Sequence, residues 1–330
     1  MFHARAFTMA VALGACGGSN GSIEPDAAAP RDTITGDTPP PSAGHDLVYD
    51  DALGVVLLVN AGLGGAATPP RDQPTVLWSW DGERWSVLDA SGPPIRNLGG
   101  VAYDVARDVL VLHGGGYSAD LSYGDTWEWR RTGGWQRIDV PGPGIRDHTR
   151  MAYDAAHARV VLFGGQRSLT AFPADTWAWD GAHWEQVAQS GPSPRVHHAM
   201  AYDPVAQQVV AFGGYEPNVR DHGDTWVWNG TAWAEQPPER AWRTHARMAF
   251  DANLGALVIV GTGTTGANLV RHGTGWDPLA ATGGPGARYL PGVAFDARRR
   301  VLVVFGGGDP SSDALFADLW ELDGSGWHAR

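Results

Sequence analysis

Five arginines stand at a fixed distance from an aromatic–aspartate pair. Arg96, Arg146, Arg195, Arg243 and Arg288 lie seven residues before Tyr103, Tyr153, Tyr202, Phe250 and Phe295. Two residues after three of them come His148, His197 and His245, and Arg150 and Arg247 follow two further on. Arginine suits carboxylates because its planar fork bonds both oxygens at once. One reading is a positive ring that receives an anionic ligand, such as a sugar acid, in a protein of formal net charge −12. The ligand-binding set is then Arg96, Arg146, His148, Arg195, His197, Arg243, His245 and Arg288. The other reading is structural: these side chains bond backbone carbonyls or neighbouring aspartates and tie one repeat to the next. Three histidines also match the ligand number of a catalytic zinc centre. Their spacing, however, follows from repetition itself, and no metal is expected.

Other chemistry is excluded by composition. The chain has no lysine, so all 24 basic residues are arginine and lysine-based covalent mechanisms are ruled out. Cys16 is the single cysteine, so no intrachain disulfide can form. There is no Ser/His/Asp elbow, phosphate loop or zinc-ligand motif. Glycine runs such as His113-Gly114-Gly115-Gly116 read as strand ends, with no helix to follow. Glutamate is scarce, with Glu216 and Glu235 the loop-region candidates between residues 186 and 238. No catalytic residue or cofactor is assigned. The acidic balance argues against non-specific nucleic-acid binding.

The elements that must position these residues form a repeat. Aromatic–aspartate pairs occur at Tyr49, Tyr103, Tyr153, Tyr202, Phe250 and Phe295, with gaps of 54, 50, 49, 48 and 45 residues. Ten residues after each Asp comes Gly114, Gly164, Gly213, Gly261 or Gly306, with Asn60 in the first copy. Then come two Trp at i and i+2 (Trp78/Trp80, Trp127/Trp129, Trp177/Trp179, Trp226/Trp228) and Trp320/Leu322 in the sixth copy. The fifth copy is degenerate, with Leu269/Arg271. Another Trp opens the last run: Trp85, Trp135, Trp184, Trp233, Trp276 and Trp327. Short alternating runs between Gly, Pro and Asp predict four antiparallel strands per copy, and a period near fifty points to a propeller or an array.

This pattern, over residues 44–330, resembles the kelch repeat in its Gly-Gly after an apolar strand, its aromatic strand and its later Trp. The resemblance implies an all-β fold, a six-bladed β-propeller with four antiparallel strands per blade. One copy buries too little by itself and must lean on its neighbours. The Trp set reads as the core between blades, not as a sugar-stacking platform. Ala102, Ala152, Ala201, Ala249 and Ala294 precede the aromatic, as crowding at the axis requires. Met151, Met200 and Met248 share a strand face with the aromatics two residues on. The ring should close without exchanging a strand between its ends. Short turns, one after the Asp anchor and one at Asp81-Gly82, Asp180-Gly181, Asn229-Gly230 or Asp323-Gly324, fall on one face. Variable loops after the Gly-Gly, at 63–75, 117–124, 166–174, 215–223 and 309–317, fall on the other, where binding is expected.

Residues 1–15 read as an export signal, with Arg5 ahead of a short apolar run from Phe7 to Leu13. Leu13-Gly14-Ala15-Cys16 resembles the bacterial lipobox, which implies lipidation at Cys16. Residues 16–43 are rich in Gly, Ser, Pro, Ala and Asp and read as a disordered tether before the propeller at 44–330. The expected protein is a monomeric envelope lipoprotein, exported and held to a bacterial membrane only by its lipid. Its loop face would bind a protein or glycan. The alternative is a sugar-modifying enzyme like the kelch-type sialic-acid epimerases and mutarotases. Galactose-oxidase-like chemistry is excluded, since its Tyr–Cys crosslink cannot be built from Cys16. Cys16→Ser is expected to abolish metabolic labelling with fatty acid and to move the protein from the membrane to the soluble fraction.

Overall fold

The computed structural model describes residues 37–61, 69–118, 121–237, 243–261, 267–281, 283–312 and 314–330. The export signal, Cys16 and the tether up to residue 36 lie outside the described residues, as do residues 63–68 of the first predicted loop at 63–75.

The chain folds as six four-stranded antiparallel sheets, each drawn from one contiguous stretch. Blade 3 shows the pattern, with strands Arg150–Asp154, Arg159–Phe163, Thr176–Trp179 and Trp184–Ala188 paired in sequence order. The first strands are Asp46–Asp50, Gly100–Asp104, Arg150–Asp154, Ala199–Asp203, Arg247–Asp251 and Gly292–Asp296. Each touches the first strand of the next blade, and Gly292–Asp296 touches Asp46–Asp50, so these strands form a closed inner ring. Among the described residues, no strand is exchanged between the first and last blades. The architecture is an all-β six-bladed propeller with four antiparallel strands per blade.

The first hairpin is uniform because the anchor aspartate builds it. Asp50 Oδ1 accepts the backbone N–H groups of Ala52 and Leu53, and Asp203 and Asp251 do the same for the residues two and three ahead. An Asp side chain folded back on its own backbone mimics a turn and sets the loop length.

Six hydrophobic clusters fill the six interfaces between blades. Ala102 of blade 2 meets Met151 and Tyr153 of blade 3, and Ala152 meets Met200 and Tyr202 of blade 4. The small residue of one inner strand thus accommodates the large face of the next, as alternation along a strand demands. Trp179 and Trp228 are fully buried, and the indoles bond across the interfaces. Trp179 Nε1 donates to Glu128 (2.9 Å), Trp129 Nε1 to Asp89 (3.0 Å) and Trp80 Nε1 to Glu321 (3.0 Å). Trp184, Trp233 and Trp276 donate to the hydroxyls of Thr126, Thr176 and Thr225 in the preceding blade. Leu77 stands at the corresponding place in blade 1, and the Trp135 Nε1 that would reach it has no partner. In degenerate blade 5, buried Arg271 replaces the second Trp and approaches Asp203 of blade 4 at 3.7 Å.

The packed structure reaches back to Ser42 and Ala43, just before the propeller's predicted start. Ser42 holds the place of the anchor arginine in the first copy. It donates its N–H to Phe316 O (3.2 Å) and accepts from Gly307 N (2.8 Å), joining blade 1 to blade 6. Buried His45 continues the seam, donating from Nε2 to Phe305 O (3.0 Å) and accepting at Nδ1 from the Ser42 hydroxyl (3.1 Å).

Trp179→Ala is expected to cost about 3–5 kcal/mol, the range for truncating a fully buried Trp. Trp177→Ala, at a half-buried position, is expected to cost less. Denaturant titration of the two variants checks the order.

Candidate functional site

The anchor arginines are turned into the blades. Arg96, Arg146 and Arg195 have no exposed surface, and Arg243 and Arg288 keep 4% and 2%. Four of the five guanidinium forks close on an aspartate just before the third strand. The closest contacts are Arg96–Asp125 at 2.5 Å, Arg146–Asp175 at 2.8 Å, Arg195–Asp224 at 2.7 Å and Arg288–Asp318 at 2.9 Å. The same Nη1 donates to the first carbonyl of the Gly-Gly, at Gly114, Gly164, Gly213 and Gly306. Those aspartates also accept the indole N–H of Trp127, Trp177, Trp226 and Trp320. Burial alone would raise the Asp224 carboxyl; Arg195 and the Trp226 indole overcome it and hold the pKa at about 2. In blade 5 no aspartate precedes the third strand, and Arg243 donates to Ala267 O (3.2 Å).

The arginine backbone serves the neighbouring blade. Arg146 O, Arg195 O and Arg243 O accept from Gly115, Gly165 and Gly214, the second glycines of the preceding repeats. A Cβ on Gly214 (φ +84°) would stand 2.6 Å from Val196 O, so glycine is required there. These five arginines therefore shape the loop face from behind.

The three histidines lie at the channel mouth. Gly44, Leu98, His148, His197, His245 and Leu290 occupy one position of the repeat, and all have positive φ between 51° and 79°. That conformation is costly for residues other than glycine, by about 1–3 kcal/mol. It is sustained by a belt of peptides running from blade to blade. Leu98 N donates to Gly44 O (2.9 Å), Gly44 N to Leu290 O (3.0 Å), Leu290 N to His245 O (2.6 Å) and His245 N to His197 O (3.0 Å). The belt holds the rings together over the axis. His197 and His245 stack with centroids 3.9 Å apart, and His148 meets His197 edge-on at 4.3 Å. Tyr215 stacks on both His197 and His245 at 5.6 Å, and Tyr289 lies edge-on to His245 at 6.4 Å.

Burial keeps His197 and His245 neutral. It lowers the pKa of His245 to about 3 and that of His197 well below the usual 6.5, with neighbouring histidines adding to the shift. His148 pairs through Nδ1 with Asp147 Oδ1 at 2.5 Å and is part-exposed, and Asp147 also accepts the Ser122 hydroxyl. Below the rings, Arg150 and Arg247 converge on Asp46. The Arg150 Nη1 donates to Asp46 Oδ1 at 3.0 Å, and Arg247 Nε lies 3.7 Å from the same oxygen. Beside the mouth, a cleft of about 380 Å³ opens on the loop face, lined by Ser122, Ile145, Gln166, Arg167 and Leu169.

Of the eight predicted ligand residues, the structure thus gathers three at the axis and turns five away from it. Among the described residues, no cluster of three or more His, Cys, Asp or Glu has metal-binding geometry. Glu216 lies in a two-residue ribbon paired with Arg220, and Glu235 ends an outermost strand. Sequence reasoning missed Asp46, Asp147, Tyr215 and Tyr289. Tyr215 and Tyr289 break no pattern that a repeat alignment would flag. Asp46 had a signal: it shares with Arg150 and Arg247 the fourth position before the inner-strand Asp, which is Gly or Ala in the other blades.

Comparison with known proteins adds the fold. No protein-family model matches the chain, and no curated protein matches it. Among solved structures, that of YjhT, a kelch-type propeller, superposes with a TM-score of 0.65 at 14% identity, covering 89% of this chain and 99% of that one.

The buried histidines make stability sensitive to acid. His45, His113, His197, His198, His222 and His245 all have lowered pKa values, burial being the main cause in each. Unfolding must then take up protons below pH 6.5. Stability is complete above that value and falls as pH drops from 6.5 toward 4, by about 1.4 kcal/mol per pH unit for each proton taken up. Below about pH 4, protonation of the arginine-paired aspartates continues the loss. Melting temperature measured from pH 8 to 4 should be level above 6.5 and decline steadily below it; a level curve to pH 5 would contradict the neutral histidines.

Proposed function

We propose that the protein is a binding module of the cell envelope, exported, anchored through lipid at Cys16, and offering its loop face to a ligand. The observation that carries this reading is the convergence of His148, His197 and His245 with Tyr215 and Tyr289 at the mouth. Five polar-edged rings on a rigid circle, beside a cleft, offer stacking faces and hydrogen-bonding edges together. That combination suits a glycan, whose hydroxyls and C–H faces alternate, better than a protein. The exposed large apolar residues on this face are few: Ile145 and Leu169 line the cleft together, and Val219 lies outside its lining.

One feature favours the second reading, a sugar-modifying enzyme of the epimerase or mutarotase kind. The Asp147 carboxylate orients the His148 imidazole at 2.5 Å, an arrangement that fixes the tautomer of a proton-transfer group. Under this reading His148 moves the proton and Asp147 positions it.

A glycan array probed with purified full-length protein tests the module. His197→Ala and His245→Ala are each expected to weaken any retained glycan about tenfold, the equivalent of one good hydrogen bond. Retention unchanged in both variants would move the site off the mouth. For the enzyme, anomer exchange followed by NMR should be lost in His148→Ala if that ring carries the proton.

A further inference from the structure

The inner strands begin with Asp46, Gly100, Arg150, Ala199, Arg247 and Gly292 in blades 1 to 6. Three charged side chains thus come from blades 1, 3 and 5, which share no interface. Arg150 and Asp46 nevertheless touch at 3.0 Å, 104 residues apart in sequence, and Arg247 reaches the same Asp46 oxygen. Side chains from non-adjacent blades meet only across the axis, so the trio spans the throat of the channel beneath the histidine rings. Arg150, Arg247 and Asp46 are 4%, 6% and 9% exposed.

Hydrogen bonding within the trio is incomplete, and Asp46 Oδ2 is itself without a partner. Arg150 commits Nη1 to Asp46 and Arg247 commits Nη1 to Ala246 O, while Nε and Nη2 of both lack hydrogen-bond partners. Neighbouring His198 is fully buried, and both its ring nitrogens lack partners. Burial and the charge of Arg150 lower the Arg247 pKa to about 9, which leaves it protonated at neutral pH. His45, His197, His198 and His245 around it are neutral. Two guanidiniums therefore share one carboxylate, and the throat carries one net positive charge in a protein of charge −12.

We infer that the throat is an oxyanion site, in which Arg150 and Arg247 hold the carboxylate of a small acidic ligand whose body lies among the rings at the mouth. The inference rests on the loop-face binding proposed above and names its ligand class: a monocarboxylic acid, free or at the end of a glycan. Paired guanidiniums with open donors suit a planar carboxylate, and Asp46 engages them through one oxygen only, leaving their remaining donors free for a second carboxylate.

The test is calorimetric titration of the full-length protein with acetate, lactate and glucuronate, and with glucose as the uncharged counterpart of glucuronate. At least one acid should bind, with glucuronate bound at least about tenfold more tightly than glucose. Arg150→Met and Arg247→Met, which keep side-chain length, should each weaken it about tenfold. Asp46→Asn should strengthen it about tenfold by raising the throat's charge from one to two. A purely structural trio predicts no such gain. Failure of every acid to bind, equal binding of glucuronate and glucose, or an Asp46→Asn variant that binds no better, would each overturn the site. Comparing free glucuronate with a glucuronate-terminated glycan separates the two sources. A neutral glycan that needs His197 but neither arginine would end the throat site and leave the loop face standing. Arginine-dependent glucuronate binding indifferent to His197→Ala would do the reverse.

Discussion

The buried guanidinium–carboxylate pair, repeated from blade to blade, is the interaction on which the loop face depends. Arg195 and Asp224 show why. Both oxygens of the carboxylate are engaged, at 2.7 and 2.8 Å, and the same arginine holds Gly213 O. One fork thus fixes the end of the second strand, the start of the third and the segment leading into the inner strand. Removing one partner of such a pair leaves a charge buried alone, a loss of about 3–5 kcal/mol, while the intact pair adds little net stability. Its contribution is geometric. The second glycine then reaches the next blade's arginine carbonyl, so the device that shapes one blade also sets the spacing to its neighbour.

That regular frame carries an irregular centre. All six blades place a residue of positive φ at the mouth, and peptide-to-peptide hydrogen bonds link five of them, from Leu98 through Gly44, Leu290 and His245 to His197. Only three fill the position with histidine, and they are consecutive, so their rings touch. Leu98, Leu290 and Gly44 complete the circle without polar groups. At the next level the charged residues come from alternate blades. Repetition builds the ring, and departure from repetition gives its axis one polar side, an aromatic cap and a positive throat. Strained backbone at a ligand-facing position is a common companion of function, because a rigid surround is needed to hold it.

The seam between the chain's ends follows the same logic with different residues. Ser42 substitutes for the anchor arginine and supplies the carbonyl that Gly307 requires. His45 then ties the first inner strand to Phe305 in the last blade. Backbone geometry is preserved although the side chain has changed, since the bond across the interface is made by a carbonyl that every residue possesses.

Much of the fold was legible in the linear chain. The tenfold spacing from Asp50, Asp104 or Asp154 to the glycine position, the paired tryptophans and the punctuation of Gly and Asp define a four-stranded unit and its count, because hairpin geometry and strand alternation are local properties. The small-before-aromatic pattern of Ala102-Tyr103 and its copies even marked which face packs between blades. The site was only half legible. Arg146 and His148 sit two residues apart with equal claim to a ligand. Only the fold shows that one closes on Asp175 inside its own blade while the other turns to the axis. Asp46, Arg150 and Arg247 share one position of the repeat about a hundred residues apart, but that position alone does not show that they meet across the axis. Local spacing determines what a strand and its turns become; which side chains share a channel depends on how six sheets close around it, and that is decided by tertiary packing alone.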